Sequence, residues 1–326
     1  MKAVVCESHG DEDVLRINQR PSPDSTPGSV RVAVQAAGLN RADLLQRRGL
    51  YPPPPGVSDI LGLECGGSVS DLGSEASDLK LGARVMALVA GGGQAEEAVV
   101  DRGSLLPVPE VFSVEEAGAF PEVYLTAYLN LFMLGGLTFG GTALVHGGSG
   151  GIGTAAIQLA KEAGVRMFVT AGSDDRCRRC TELGAEIAVN YRERDFESVC
   201  LDATDKSGVD VVLDCIGGPY LEKNLKVLTT EGHLVVIGLM GGMTGELDLR
   251  RLLSTRIRII GSTMRALSLE RKAEIVSSFL DRFGDALQAG RLRPIIDSVF
   301  PMERVADAHR RLASGEAFGK VVLTIG

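Results

Sequence analysis

The chain has 326 residues, 44% of them hydrophobic and 41 of them glycine, and carries a net charge of −8 at a pI near 5.2. That length exceeds what one hydrophobic core usually organises, so about two domains are expected. The acidic balance repels a phosphate backbone, and nucleic acid is not an expected partner. No apolar run approaches the roughly 20 residues that span a bilayer. Met1 leads directly into the strand-like Lys2-Ala3-Val4-Val5 instead of a signal sequence, so the expectation is a cytoplasmic protein with no membrane insertion.

Along the first ~120 residues, short strand patterns alternate with turns. In Val30-Arg31-Val32-Ala33-Val34 the valines share one strand face. The run Tyr51-Pro52-Pro53-Pro54-Pro55-Gly56 reads as a stiff loop. This part reads as barrel-like β structure. A helical stretch is expected from about Ser113 through Met133, and after it strands and helices alternate. The strands are read at 143–145, 166–170, 187–189, 209–214, 233–237 and 258–260, with helices near 154–163, 176–183, 196–204 and 221–228. Alternation at this spacing predicts a parallel, doubly wound α/β sheet with right-handed crossovers. A helix over 269–289 and a strand over 321–325 that returns to the first domain complete the reading.

The strongest motif is Gly148-Ser149-Gly150-Gly151-Ile152-Gly153, placed between a strand and a helix. Its glycines allow a tight turn and let backbone N–H groups approach a pyrophosphate at the helix N-terminus, which predicts a bound dinucleotide. About 20 residues on, where an NAD enzyme places an acidic residue for the ribose, stand Gly172 and Ser173, then Asp174, Asp175 and Arg176. The glycine and serine leave room for a 2′-phosphate, with Arg176 to pair with it and Tyr191 nearby, and NADPH is the expected cofactor. Asp174 and Asp175 argue for NADH, and Arg176 read blandly is a solvated helix residue.

Of the six cysteines, only Cys177 and Cys180 form a CxxC. With no second pair to complete a zinc site, they read as helical thiols without a metal, redox chemistry being the alternative. His9, His146, His233 and His309 show no ligand spacing and read as structural or exposed.

The segment GTALVHGGSGGIGTAAIQLAK over 141–161 resembles the signature of zeta-crystallin-type quinone oxidoreductases in the medium-chain dehydrogenase/reductase superfamily. Ala37 to Asp43, Leu61-Gly62-Leu63-Glu64, Pro121 to Ala127, Asp214 to Gly218, Gly238 to Gly242 and Gly319 to Val322 extend the likeness over the whole chain. It is strongest to the tumour-suppressor-inducible group, through Leu-Asn-Arg-Ala-Asp and Tyr51 before its prolines.

The resemblance implies a GroES-like catalytic domain at 1–122 and 268–326 around a Rossmann domain at 123–267, in a homodimer. It implies hydride transfer from NADPH to a quinone. Asn40 and Leu63 stand where zinc alcohol dehydrogenases of the superfamily carry Cys and His, so no metal is expected. Without a Lewis acid, already electrophilic acceptors are favoured.

By position, Thr126 and Asn40 flank the nicotinamide, and the Asn40 amide is a candidate donor to the quinone oxygen. Tyr51 covers the ring or relays a proton, or is a packing aromatic on its loop. Ser149 lies beside the same place or only satisfies its own loop. Gly217, Gly238, Leu239 and Met240 line the cofactor path, and Lys320 closes over it. The alternatives are a reductase of α,β-unsaturated carbonyls and, from another class, a nucleotide-binding structural or RNA-binding protein.

Overall fold

The computed structural model describes residues 1–74 and 79–326. Contacts divide the chain into two compact units, one of Met1–Leu125 with Met264–Gly326 and one of Thr126–Thr263.

The first unit is built on a bent sheet. The strands Ile296–Pro301, Lys320–Thr324, Ser29–Gly38, Glu64–Leu72, Arg84–Leu88 and Leu105–Pro107 neighbour one another in that order, and Glu97–Asp101 pairs with Ser29–Gly38. The strand Ser29–Gly38 shows why the sequence folds this way. Val30, Val32 and Val34 alternate onto one face and are buried with Val69, Val85, Val321 and Leu323. Register shifts at Arg31/Val32 and Val34/Ala36 bend the strand, as bulges do. The strand Lys320–Thr324 pairs antiparallel with Ser29–Gly38, Val322 opposite Gly38, so the end of the chain does return to this sheet. The helix Leu269–Gln288 packs Phe279 edge-on against Phe120, which stacks on Tyr124.

The second unit is a six-stranded parallel sheet in the order Ile187–Asn190, Arg166–Ala171, Thr142–His146, Val209–Asp214, Leu228–Val236 and Arg258–Gly261. Numbered within the unit this is 3-2-1-4-5-6, the doubly wound order, in which the order of strand addition reverses between the parallel neighbours Thr142–His146 and Val209–Asp214. Helices Gly151–Ala163, Asp174–Leu183, Phe196–Ala203 and Leu221–Val227 connect the strands. Thr142–His146 is buried throughout, as a central parallel strand covered on both faces must be.

Two elements differ from expectation. The helical stretch through Met133 is broken: Val114–Ala119 is followed by Pro121–Tyr128 and a π-helical turn at Leu129–Leu134. Pro121 supplies no backbone N–H to continue the first helix. The fifth strand of the parallel sheet begins at Leu228, not near His233, and runs through a register shift and Glu231 at φ +66°. Its Thr-Thr-Glu-Gly segment reads as a turn because nothing in it is apolar.

Candidate functional site

In the second unit the site lies where the sheet order reverses. The strand Thr142–His146 ends in Gly147, at φ +78°. A Cβ on Gly153 would fall 2.4 Å from the Gly147 carbonyl oxygen and 2.5 Å from Gly148 Cα, so only glycine lets the helix seat this close to the loop. A Cβ on Gly150 would meet nothing nearer than 3.4 Å, which leaves that side of the loop open. The first bond of the helix runs from Thr154 N–H to the Gly150 carbonyl, and the helix has no side-chain cap. Among the described residues the N–H groups of Gly151, Ile152 and Gly153 therefore have no acceptor. Three amides without an acceptor at the positive end of a 13-residue helix suit a diphosphate. Ser149 is buried, and its hydroxyl makes no hydrogen bond among the described residues.

A buried relay that sequence reading missed holds this loop. Thr170 Oγ1 accepts the Gly147 N–H at 3.3 Å and lies 3.1 Å from His146 Nδ1, while His146 Nε2 lies 2.7 Å from Asn224 Oδ1. Burial lowers the His146 pKa to about 4, so the ring is neutral. The amide oxygen of Asn224 can only accept, which places the proton on Nε2 and leaves Nδ1 to accept from Thr170. The sequence, in which His146 shows no ligand spacing, allowed only the reading of a structural or exposed histidine.

At the end of the second strand, Ser173 caps the helix Asp174–Leu183, its Oγ accepting from Arg176 N–H. The two acidic residues that argue for NADH are already engaged. Asp174 accepts from the Asn190 amide at 2.9 Å, and Asp175 pairs with Arg178 at 2.6 Å. Tyr191 is exposed, and its hydroxyl lies 2.9 Å from where a Cβ on Gly172 would be. Among the described residues the guanidinium groups of Arg176 and Arg192 make no hydrogen bond or ion pair.

On the fourth strand, Asp214 is buried and accepts the N–H groups of Ile216 and Gly217. Burial raises its pKa against the pull of those amides. Gly217, at φ +87°, bridges to Gly242, whose carbonyl oxygen would sit 2.6 Å from an added Cβ. Gly238 lies in the neighbouring loop beside the Cys215 carbonyl, and the side chains of Leu239 and Met240 are exposed. Thr126 is buried with its Oγ1 unpartnered, an orphan hydroxyl of the kind a bound ligand satisfies.

In the first unit the conspicuous feature is a buried charge network. Glu64 is wholly buried and accepts from Lys320 Nζ at 2.7 Å, Asn40 Nδ2 at 2.9 Å and Glu122 N–H at 2.9 Å. A Cβ on Gly38 would fall 2.4 Å from Glu64 Oε1, so the network fits only against glycine there. Lys320 also donates to the Leu39 carbonyl at 2.7 Å and to Asn40 Oδ1 at 2.6 Å, which uses all three ammonium hydrogens. Lys320, expected to close over a cofactor, is thus committed to the interior, because a carboxylate taken out of water requires a cation.

Asn40 is fixed at both ends of its amide. Its second amide hydrogen faces only the Gly38 carbonyl, at a long 3.4 Å. Asp43 accepts the N–H groups of Asn40 and Gly62, and burial nevertheless raises its pKa to about 6. Burial and the Glu64 carboxylate push Glu122 up to about 8. Tyr51 is half-buried, with its ring 5.3 Å from the Arg265 guanidinium carbon. Its hydroxyl has no hydrogen-bond partner among the described residues. His309 is buried against Arg47, and His233 bonds to the Gly135 carbonyl, so neither addresses a ligand.

One unit is a doubly wound sheet with a glycine loop where its strand order reverses and the other is built on a bent β-sheet; this pair of units defines a dehydrogenase or reductase, and comparison with known proteins agrees. Residues 26–110 match the alcohol dehydrogenase GroES-like domain, and residues 151–281 match the zinc-binding dehydrogenase family. The chain belongs to the medium-chain dehydrogenase/reductase superfamily. It is 33% identical to the rat synaptic vesicle membrane protein VAT-1 homolog over all of this chain and 84% of that one. It is 30% identical to human quinone oxidoreductase over all of this chain and 98% of that one.

Among solved structures, an NAD-dependent alcohol dehydrogenase superposes with a TM-score of 0.85 at 31% identity, covering all of both chains. The Escherichia coli quinone oxidoreductase complexed with NADPH gives 0.87 at 26%, covering 99% of this chain and 100% of that one. The CurK enoyl reductase gives 0.86 at 26%, covering 100% and 99%.

Proposed function

We propose that the chain is a zinc-independent NADPH:quinone oxidoreductase of the zeta-crystallin type. The observation that carries the metal-free part is the Lys320 ammonium, bound by Asn40, Glu64 and the Leu39 carbonyl. A fixed positive charge already satisfies the carboxylate and amide there, and Leu63 offers no donor atom, so the donor set does not suit zinc. Among the described residues no three His, Cys, Asp or Glu side chains are grouped to hold a metal.

Bound NADPH supplies a hydride. The unpaired amides of Gly151, Ile152 and Gly153 take its diphosphate, with Gly150 allowing the approach and Gly148 letting the loop pack against Val169, and the Thr126 hydroxyl is free to hold the nicotinamide amide. Ser173, Arg176 and Tyr191 take the 2′-phosphate, a reading supported by the prior engagement of Asp174 and Asp175. Gly172, Gly217, Gly238, Leu239 and Met240 line the remaining path.

A quinone that gains a hydride and a proton becomes a hydroquinone. The protein orients the acceptor, and the first unit offers hydrogen-bond donors in the second Asn40 amide hydrogen and the Tyr51 hydroxyl, which can pass on a proton that water replaces. An enone acceptor would use the same donors, and that is the second reading. An RNA-binding role is opposed by the net charge of −8.

The edge strand Arg258–Gly261, with Ile259, Leu249 and Leu253 exposed nearby, supports a homodimer through the second unit. None of the six cysteines forms a disulfide among the described residues, which suits the reducing cytoplasm.

The test is NADPH oxidation by chelator-treated protein with 1,2-naphthoquinone, compared with NADH and with 1-octen-3-one. Rapid NADPH-specific turnover of the quinone is expected. Turnover of the enone alone moves the assignment to an alkenal reductase, and binding of NADPH without turnover of either moves it to a non-enzymatic nucleotide binder.

A further inference from the structure

We propose that Arg265 is a positioning residue for Tyr51, a role that rests on the reading of Tyr51 as a proton-passing group. Three oxygens receive its guanidinium: Nε donates to the Ala90 carbonyl at 2.6 Å, Nη1 to the Tyr51 carbonyl at 3.1 Å and Nη2 to Gln46 Oε1 at 2.7 Å. The same group lies against the Tyr51 ring, 5.3 Å from its centroid, within cation–π range. Gln46 in turn donates to the Asp59 carbonyl at 3.0 Å. The proline loop is therefore held at Tyr51 directly and at Asp59 through Gln46. Lys272 donates to the Arg265 carbonyl at 3.0 Å and fixes the residue from behind.

This is a costly way to fasten a loop. Arg265 is 4% exposed, and burial lowers its pKa. A neutral side chain could satisfy one carbonyl without that desolvation. Only the planar fork of arginine can bond three oxygens of different segments and also lie along an aromatic ring, and a lysine ammonium cannot reproduce that geometry. The device leaves the Tyr51 hydroxyl unbonded while fixing its ring and carbonyl oxygen. It also sets the charge around that hydroxyl. Burial and Glu122 raise the Tyr51 pKa, and Arg265 pulls it down. Asp43, Glu122 and Lys272 are the other charged groups facing this cluster.

The experiment is a double-mutant cycle on the full chain with Y51F, R265Q, R265K and Y51F/R265Q, assayed by NADPH oxidation with 1,2-naphthoquinone. If Arg265 acts through Tyr51, Y51F and R265Q each lower kcat/KM about 10- to 100-fold. The double variant is then no slower than Y51F, R265K recovers part of the loss, and the Kd for NADPH is unchanged. The pH of Tyr51 ionisation, read from the ultraviolet phenolate absorbance by subtraction of Y51F, rises in R265Q.

Additive losses in the double variant, or wild-type turnover in R265Q, would overturn the proposal. If R265Q does not fold, the cycle is run with R265K, for which the same non-additivity is required. A wild type that turns over no acceptor refutes the functional reading alone. The phenolate titration then still decides whether Arg265 governs Tyr51, and an unmoved titration counts against it.

Discussion

Lys320 and Glu64 form an ion pair of 2.7 Å with both side chains withdrawn from solvent, 3% and 0% exposed. Removing one partner of such a pair leaves the other charged and buried, which typically costs about 3–5 kcal/mol. Lys320→Met is therefore expected to lower the unfolding free energy by about that amount in urea. Glu64→Gln, which leaves the Lys320 ammonium buried without its counter-ion, should cost a similar amount. An unchanged midpoint for Lys320→Met would show that the pair is not held in this form in solution.

Glu122 makes stability depend on pH. Its folded pKa of about 8 lies above the ordinary 4.5, so between these values the folded state binds more protons than the unfolded chain. Stability contributed by the protonated carboxyl is fully present below about pH 4.5 and is lost as the pH rises towards 8. Glu122→Gln, a permanent mimic of the neutral acid, should be more stable than the wild type at pH 8, by a few kcal/mol at most. The difference in melting temperature should shrink to nothing near pH 4.5. A difference of the same size at both pH values would exclude this origin.

Gly150 and Gly153 separate the two demands on the nucleotide loop. Gly153→Ala places a methyl 2.4 Å from the Gly147 carbonyl oxygen, so it should lower the melting temperature and abolish NADPH binding together. Gly150→Ala has room on the protein side, at φ −80°, and should melt like the wild type while binding NADPH at least ~10-fold more weakly. Full NADPH affinity in Gly150→Ala, by isothermal titration, would move the diphosphate away from this face.

Arg176→Ala tests the 2′-phosphate assignment. A charge-assisted contact of this kind is worth roughly 1.5–3 kcal/mol. The KM for NADPH should rise about 10- to 100-fold, with the KM for NADH unchanged. Equal effects on both cofactors would return Arg176 to the solvated helix face.

The doubly wound sheet was readable because its strands are short apolar runs separated by helices of ordinary length. Strand Val209–Asp214 lies at its expected position, and Thr142–His146 and Arg166–Ala171 each begin or end within a residue of theirs. The glycine loop was equally plain, since adjacency in sequence is what makes it a loop. What could not be read is what the fold assembles from afar. Lys320 meets Asn40 across 280 positions, and Arg265 meets Tyr51 across 214. A lone lysine or arginine has no periodicity to betray that it is buried, and base composition gives it to the surface. The same holds for His146, whose partners Thr170 and Asn224 are 24 and 78 residues away.

The pairing of Lys320–Thr324 with Ser29–Gly38 also has a temporal side. During synthesis, all of Thr126–Thr263 emerges as one uninterrupted stretch and can close its own core as soon as it clears the ribosome. The other unit cannot: its central strand lacks a neighbour, and Glu64 lacks its counter-ion, until the last segment arrives. A ribosome stalled before residue 320 should therefore hold a folded nucleotide-binding unit tethered to an unfinished sheet.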